Sequence, residues 1–408
     1  MFVIMQINVT ANWGSTGRIA DLCCEYASFE GMKCYEIYGR YRNPSNITQI
    51  KVGNSFCVYE HYIESRLFDN EGLASRVATF LLIKKIKKLK PDLIHLHNIH
   101  DHWLNYKILF EYLNKTSIKI VWTFHDFWAI TGHCTHFINV GCTKFLFECE
   151  DCPYTKGHFL PILQRARKNF RLKRKLFSAN QNLTIVPVSE WVRDIVQKSF
   201  LKSHEIRVIT NGVDTNFFKP TSLENISIDE KERLVGKFVI MAVSSQWKSG
   251  DKGLDDYVAM SKMLQEDEVI VLVGAGSDVS RHFPKNMIGV KRTNNQKELA
   301  ALYTRADVVC SFSKAETFGL TIVEGYACGA PAVVYDNTAL SSLITPETGF
   351  VVPNGDYKEA YNAIVKIRKK GRKYYQKACV ELVESKYSKE VCFGKYIALY
   401  KELLQKNN

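Results

Sequence analysis

Short apolar runs, rich in β-branched residues, alternate along this chain with longer stretches whose apolar positions recur at helical spacing. That alternation is the pattern of βα units folding into parallel sheets. In the first half it predicts strands at residues 2–9, 34–38, 92–96, 118–124, 184–188 and 206–209. In the second half it predicts strands at 238–243, 269–273, 287–290, 307–312, 332–334 and 350–352. Between the two sets, residues 211–237 hold Asn-Gly, Pro220 and a polar, acidic segment, which reads as a linker. The fold class expected is α/β, with two Rossmann-like doubly wound domains facing each other across a cleft. Their boundaries are set at 1–214 and 215–387, with a helix at 388–408 returning to the first.

Open parallel sheets bind ligands beyond the carboxyl ends of their strands. Glycine and polar residues collect at those ends: Gly14-Ser-Thr-Gly17, His97-Asn98, His125-Asp126, Ser189-Glu190 and Asn211-Gly-Val-Asp214, then Lys252-Gly253, Gly274-Ala-Gly276, Glu316 and Asp336. Residues 313–331 are the most informative stretch. Glu316 follows a buried strand, Gly319 opens a helix that carries Glu324, and Gly329-Ala330-Pro331 ends it. Carboxylates beside a helix N-terminus make a cradle for a phosphorylated, hydroxyl-rich ligand. A helical path between the two glutamates would span about 12 Å, enough for a sugar at one end and a ribose at the other.

Taken together, Gly14-Ser-Thr-Gly17, His125-Asp126, Asn211-Gly-Val-Asp214, Lys252-Gly253, Gly274-Ala-Gly276 and Glu316-x7-Glu324 resemble the retaining glycosyltransferases of family 4, in order and spacing. The resemblance covers essentially the whole chain and implies the GT-B fold. It implies that Glu324 binds the donor ribose and Glu316 the transferred sugar. The amides of Phe318, Gly319 and Leu320 would lie along sugar and diphosphate, and Lys252 would stabilise the leaving diphosphate. Gly14, Gly17 and Gly274 would approach the donor, and His125 would line the acceptor side. Glu316, Lys252 and His125 are thus the catalytic candidates. The arginine that such enzymes place before the lysine is absent from Ser245-Gln-Trp-Lys-Ser-Gly-Asp-Lys252, and Lys248 is the substitute expected.

Composition narrows the remaining choices. The chain has 408 residues, 46% of them hydrophobic, and no run long enough to span a bilayer. The apolar start lacks a basic n-region and reads as a core strand, so a cytoplasmic enzyme is expected. The net charge of +13 is concentrated at residues 83–90 and at 165–175, where seven Lys/Arg stand without an acid. Ile162, Leu163, Phe170, Leu172 and Leu176 stand near the second cluster at roughly helical spacing. That stretch is expected to lie on the anionic inner face of a membrane. Of twelve cysteines, Cys134, Cys142, Cys149 and Cys152 are clustered. Their spacing suits a structural zinc, with free thiols or disulfides as the alternatives.

The function expected is transfer of a hexosyl or other glycosyl unit, with retention, from a UDP- or GDP-sugar. The acceptor expected is a glycan or polyprenyl-linked sugar in capsule, exopolysaccharide or O-antigen assembly. No catalytic cofactor and no nucleic-acid partner are expected. The rivals are a dinucleotide-dependent oxidoreductase, suggested by Gly274-Ala-Gly276 but with Val279 where a third glycine belongs, and a basic nucleic-acid-binding protein.

Overall fold

A computed structural model describes residues 1–153, 161–226, 231–293 and 295–405. The chain divides into two compact units. One comprises Met1–Thr210 with Phe393–Asn408, and the other Asn211–Cys392.

The first unit holds β1 (Val3–Asn8), β2 (Lys33–Tyr38), β3 (Thr48–Lys51), β4 (Leu93–Leu96), β5 (Lys119–Phe124), β6 (Leu183–Pro187) and β7 (Glu205–Ile206). They form one parallel sheet in the order β3-β2-β1-β4-β5-β6-β7. The second unit holds β8 (Phe238–Val243), β9 (Glu268–Val273), β10 (Met287–Val290), β11 (Val308–Ser311), β12 (Ala332–Asp336) and β13 (Gly349–Pro353). These are also parallel, in the order β10-β9-β8-β11-β12-β13. Both orders are doubly wound, and strand order reverses between β1 and β4 and between β8 and β11. Those reversals are where such sheets open a crevice at their carboxyl edge.

The central strands read as near-continuous apolar runs because both faces of a parallel sheet are covered. All six residues of β9 are buried, as are all five of β6. Pattern reading missed β3, whose Thr-Gln-Ile-Lys offers one apolar residue and sits at the sheet edge. The strand expected at 206–209 is a two-residue element, Glu205–Ile206.

The helix Lys389–Gln405 begins in the second unit and ends in the first. Phe393, Tyr396, Ile397, Tyr400 and Leu404 bury themselves among Ile4, Cys23, Cys24, Leu93 and Val121. Inside the second unit, the entering and leaving strands of chain are pinned together. Val213 N–H donates to Tyr387 O (2.8 Å), Lys389 N–H to Val213 O (2.9 Å), and Lys389 Nζ to Asp214 Oδ2 (2.8 Å). No helix among the described residues is long and apolar enough to cross a membrane.

The loops after β8 and β9 meet at a glycine. Gly274 has φ +87°, and a Cβ there would lie 1.8 Å from the Ser244 carbonyl oxygen. A left-handed conformation already costs an L-residue about 1–2 kcal/mol, and the clash is with backbone that cannot swing aside. Gly274→Ala should therefore lower the melting temperature by at least about 4 °C in a thermal-unfolding scan. An unchanged melting temperature would show that the loop relaxes freely.

Candidate functional site

In the second unit, the loops following the two strands at the order reversal carry Lys252 and Glu316. Lys252 Nζ donates to Glu316 Oε1 at 2.6 Å and to Ser313 Oγ at 3.2 Å. Both side chains are only partly exposed, at 20% and 27%. Stacked rings bring these loops together. Tyr257 lies on Phe312 (centroids 4.3 Å) and Phe312 on Tyr335 (4.6 Å). Lys314 N–H also donates to Asp251 O at 2.8 Å. Ser313, Glu316 and Lys252 therefore stand on a rigid aromatic base rather than on free loops.

The helix Leu320–Ala327 starts immediately beyond. Its N-cap is Gly319 at φ +105°, where a Cβ would press on Leu340 Cδ2 at 2.5 Å. The first-turn N–H groups of any helix lack intrahelical acceptors and carry positive partial charge. Phe318, Gly319 and Leu320 supply that end here, with Phe318 buried. At the other end, Arg372 donates to Cys328 O (2.6 Å) and Gly329 O (3.2 Å), which suits the negative pole of the helix. Glu324, one turn in, accepts from the Tyr303 hydroxyl at 3.0 Å. That bond holds Glu324 in one position, and nothing in the sequence around Tyr303 signals it.

Lys248 lies in the loop after β8, well exposed, and pairs with Asp278 at 2.5 Å. Gly274 abuts Ser244 as described, and Gly276 is followed by a single turn, Ser277–Ser280. The glycines there serve close packing of loops, which removes the main ground for a dinucleotide fingerprint.

In the first unit, Gly14 opens the helix Gly14–Phe29 after β1. A Cβ on Gly17 would lie 2.7 Å from Thr10 Oγ1, so this turn is held tightly against the strand end. Asn8 links the two strands at the reversal by accepting from Asn98 N–H (3.1 Å) and donating to Thr10 O (2.8 Å). His125 follows β5, half-buried, with its Nε2 3.0 Å from Nδ1 of His97. Burial pushes the His125 pKa down to about 4, so the ring is neutral near pH 7. Burial alone would raise Asp126, but the His100 imidazole 2.8 Å away outweighs it and holds the carboxyl down to about 2. Asp126 also accepts from Trp128 N–H at 2.8 Å, which orients the chain past His125.

The cysteine segment and the basic helix are one assembly, which corrects the expectation for residues 165–175. In the helix Ala166–Ser178, Phe170, Leu176 and Phe177 are buried. Lys173 is fully buried, donating to Trp128 O (2.7 Å) and Thr131 O (3.1 Å), with its Nζ 3.5 Å from the Trp128 ring centroid. Burial pulls the Lys173 pKa down to about 7. Arg167 pairs with Glu148 and Glu150, and Arg171 with Glu148. The helix buries its apolar face and Lys173, while Arg167, Lys168, Arg171, Arg174 and Lys175 stay exposed, Arg167 and Arg171 in ion pairs. Cys134 and Cys149 are pushed up by burial, to about 12 and 11, and each feels the charge of Cys152. Among the described residues, the group of three metal-type ligands within 4.8 Å of one another is His61, Glu71 and His102, not the cysteines. That trio is already consumed. His61 bonds Ser75 and Gly72, and Glu71 bonds His102, Ser65 and the Asp101 amide.

The surface that is apolar and basic lies elsewhere. On the helix Ser55–Phe68, Phe56, Tyr59, Ile63 and Leu67 are exposed. On Arg76–Leu89, Val77, Phe80 and Leu81 are exposed, followed by exposed Lys84, Lys85, Lys87 and Lys88. Exposed Ile162 and Leu163 extend it by donating their N–H groups to Arg66 O and Leu67 O.

Residues 22–217 match the model of Glycosyltransferase Family 4, and residues 237–370 that of Glycosyl transferases group 1. The protein WcaC of Escherichia coli K12, named for colanic acid biosynthesis, is 23% identical over 270 residues, 64% of each chain. That match thus spans a little under two thirds of the relative's length. A sucrose-phosphate synthase from Thermosynechococcus elongatus superposes over 100% of both chains at TM-score 0.74 and 16% identity. The Anabaena protein HepE in complex with UDP-glucose covers 98% of this chain and 100% of its own, at TM-score 0.63 and 15% identity. With two doubly wound parallel sheets, and residues 22–217 and 237–370 matched in order by two glycosyltransferase models, the chain belongs to the glycosyltransferases of GT-B fold.

Proposed function

We propose that this protein transfers a sugar, with retention at the anomeric carbon, from a UDP- or GDP-sugar to a lipid-linked glycan during assembly of a bacterial surface polysaccharide. The observation that carries the reading is the Lys252–Glu316 contact at the strand-order reversal, one helix N-terminus away from Glu324. The likeness to WcaC and to a UDP-glucose complex supports the pathway and the donor class.

In this reading Lys252 exchanges Glu316 for the donor diphosphate, joined by the N-terminal amides of Leu320–Ala327. Glu316, released, accepts from hydroxyls of the sugar, and Glu324 from the ribose. The bond from the anomeric carbon to the phosphate oxygen breaks. The acceptor oxygen bonds the same face of that carbon, and its proton passes to the departing phosphate oxygen. The protein positions the partners and stabilises developing charge, with no group of its own bonded to sugar. Lys248 pairs with Asp278 and would reach the diphosphate only by leaving it.

The acceptor side is proposed to rest on an anionic membrane through the exposed apolar residues of Ser55–Phe68 and Arg76–Leu89. The lysines at 84, 85, 87 and 88 supply the matching charge, at about 1 kcal/mol each near an anionic leaflet. A structural zinc on Cys134, Cys142, Cys149 and Cys152 is a separate proposal, resting on the Cys-x-x-Cys spacing of Cys149 and Cys152. It requires the sulfurs to close to the roughly 2.3 Å Zn–S distance of tetrahedral sites.

Three measurements follow. Nucleotide sugars are first screened by thermal shift, and product nucleotide release is then assayed with the best binder. Lys252→Ala should lower kcat by about 10²–10³, and Glu324→Ala should weaken donor binding by about tenfold or more. Near-wild-type behaviour of both would reject the site. In vesicle co-sedimentation the protein should pellet with phosphatidylglycerol vesicles and not with phosphatidylcholine alone, and Phe80→Ser with Lys84→Glu should abolish pelleting. Equal binding to both lipids, or no effect of the substitutions, would reject the surface. Elemental analysis of the purified protein should find one zinc per chain; no metal and four freely titrating thiols would remove that proposal.

A further inference from the structure

β2, β1 and β4 lie side by side in the sheet of the first unit, and the loops that leave their carboxyl ends carry strained backbone. Seven non-glycine residues among those described have φ in the left-handed region. Three of them, Asn12 (φ +47°), Asp101 (+78°) and His102 (+64°), stand in the loops after β1 and β4. Such a backbone costs an L-residue about 1–2 kcal/mol, although Asn and Asp enter it more readily than bulky side chains. Buried carboxylates hold it here. Glu36 Oε1 accepts from Asn12 N–H at 3.2 Å. Glu71 Oε1 accepts from the N–H groups of Asp101 and His102 at 2.6 and 3.1 Å. Both glutamates are buried. Asn12 Nδ2 also donates to Pro44 O, and Asn43 Nδ2 to Asn12 O, each at 2.8 Å. Ala11 N–H donates to Tyr41 O and Asn43 N–H to Ala11 O, both at 3.0 Å. The loops after β1 and β2 are thus laced into one piece. Strain over-determined in this way collects where a protein displays side chains to a ligand.

The side chains displayed are aromatic, with a charged rim. Trp13 follows Asn12 directly and is 40% exposed, its carbonyl held by Thr10 Oγ1 at 2.8 Å. Trp103, Trp122, Trp128 and Trp247 are all buried, so a tryptophan left in water is exceptional in this chain. Tyr41, on the adjoining loop, is 52% exposed, and its ring centroid is 5.8 Å from that of Trp13 at an interplanar angle of 37°. The Arg40 guanidinium lies 5.1 Å from the Tyr41 ring centroid. Arg40 Nη1 reaches across to Asp101 Oδ2 at 2.7 Å, joining the loop after β2 to the loop after β4. A pyranose has the matching chemistry. Its ring C–H groups form an apolar face that packs on the negative face of an aromatic ring. Its vicinal hydroxyls donate to a carboxylate and accept from a guanidinium. A nucleobase would use the rings but brings no vicinal hydroxyls to Asp101, and a hydrocarbon chain would leave the ion pair unused.

We propose that Trp13 and Tyr41 form the platform on which a pyranose ring of the acceptor stacks, with Arg40 and Asp101 taking its hydroxyls. The proposal rests on the reading that the acceptor is a glycan, and it names the residues that select it. Because Glu36 and Glu71 fix the loops in advance, little ordering remains to be done when the sugar arrives, which favours binding. An acceptor chosen this way already carries a sugar, so an earlier glycosyl transfer must supply it.

Saturation-transfer NMR on the full chain tests this, with methyl β-D-glucopyranoside, methyl β-D-galactopyranoside and methyl α-D-mannopyranoside as probes and uridine as the control. At least one pyranoside should take up saturation, more at its ring protons than at its methyl group. Trp13→Ala should weaken that binding by about tenfold, and Trp13→Phe should restore most of it. Asp101→Asn, which keeps the backbone N–H that Glu71 holds, is the second variant and should weaken the binding too. No saturation of any pyranoside by the wild type overturns the proposal, and that measurement needs no variant to fold. Equal binding by wild type and Trp13→Ala, or by wild type and Asp101→Asn, also overturns it. So does a uridine signal that disappears in Trp13→Ala, since the platform would then hold a nucleobase. UDP should raise the melting temperature of wild type and Trp13→Ala alike; a UDP shift lost in the variant would assign the platform to the donor and overturn the proposal. A wild-type chain that no sugar nucleotide stabilises would instead reject the proposed function, and the pyranoside spectra would still judge the platform.

Discussion

The chemistry of this protein depends on a geometric constraint of doubly wound sheets. Where strand order reverses, the chain leaving one strand runs to one face and the chain leaving its neighbour to the other. The carboxyl edge is therefore left uncovered between β1 and β4 and between β8 and β11. In the second unit that gap is lined by the Lys252 and Glu316 loops, clamped by the Tyr257–Phe312–Tyr335 stack. In the first it is lined by the Gly14 turn and the Asn98 loop, tied by Asn8. Every candidate residue except the cysteines stands in a loop that follows the carboxyl end of a strand, or on the helix that such a loop opens.

The same architecture explains how polar residues can occupy the core of the first unit. β1, β4 and β5 carry Gln6, His95 and Thr123 among otherwise apolar residues. A buried polar group costs several kcal/mol unless bonded. The helix Lys389–Gln405 meets that demand with two tyrosine hydroxyls while burying Phe393, Ile397 and Leu404 beside them. Hydrophobic packing brings the helix in, and the hydrogen bonds fix its register, since a one-residue slip would carry the Tyr400 hydroxyl away from Gln6 and His95 and the Tyr396 hydroxyl away from Thr123.

The sheet order was legible because β-branched runs and glycine-marked ends repeat at βα spacing, and the site was legible because its residues sit at those ends. Glu316 and Lys252 stood out by their place after strand ends, and the resemblance to family 4 named their roles. Their direct contact could not, because it spans 64 residues and depends on aromatic stacking that leaves no local pattern. Tyr303 behind Glu324 and Tyr400 between Gln6 and His95 were invisible for the same reason. Net charge misled most. The basic run at 165–175 read as membrane-facing, but its Phe170 and Leu176 are buried, Arg167 and Arg171 pair with Glu148 and Glu150, and Lys173 lies against Trp128. Charge counted along a sequence does not tell which cations are already paired. The exposed apolar residues of Ser55–Phe68 were equally hidden, since an amphipathic helix has the same periodicity whichever side faces the core.

The pairing of Lys252 with Glu316 also bears on how a phosphorylated ligand could bind. A partly buried lysine without a partner would pay a desolvation cost at all times. Here the 2.6 Å contact with Glu316 offsets that cost. A diphosphate entering this site would replace one anion by another beside the same cation, so the gain is the difference between two ion pairs and not the whole of one. The carboxylate set free has unsatisfied acceptor capacity in a half-buried place, and hydroxyl groups arriving with the same ligand can meet it. Anion and hydroxyls are therefore most favourable together, which favours a sugar nucleotide over phosphate or sugar alone. On the proposed reading, the selectivity would arise from one lysine and one glutamate that neutralise each other until both of their better partners arrive.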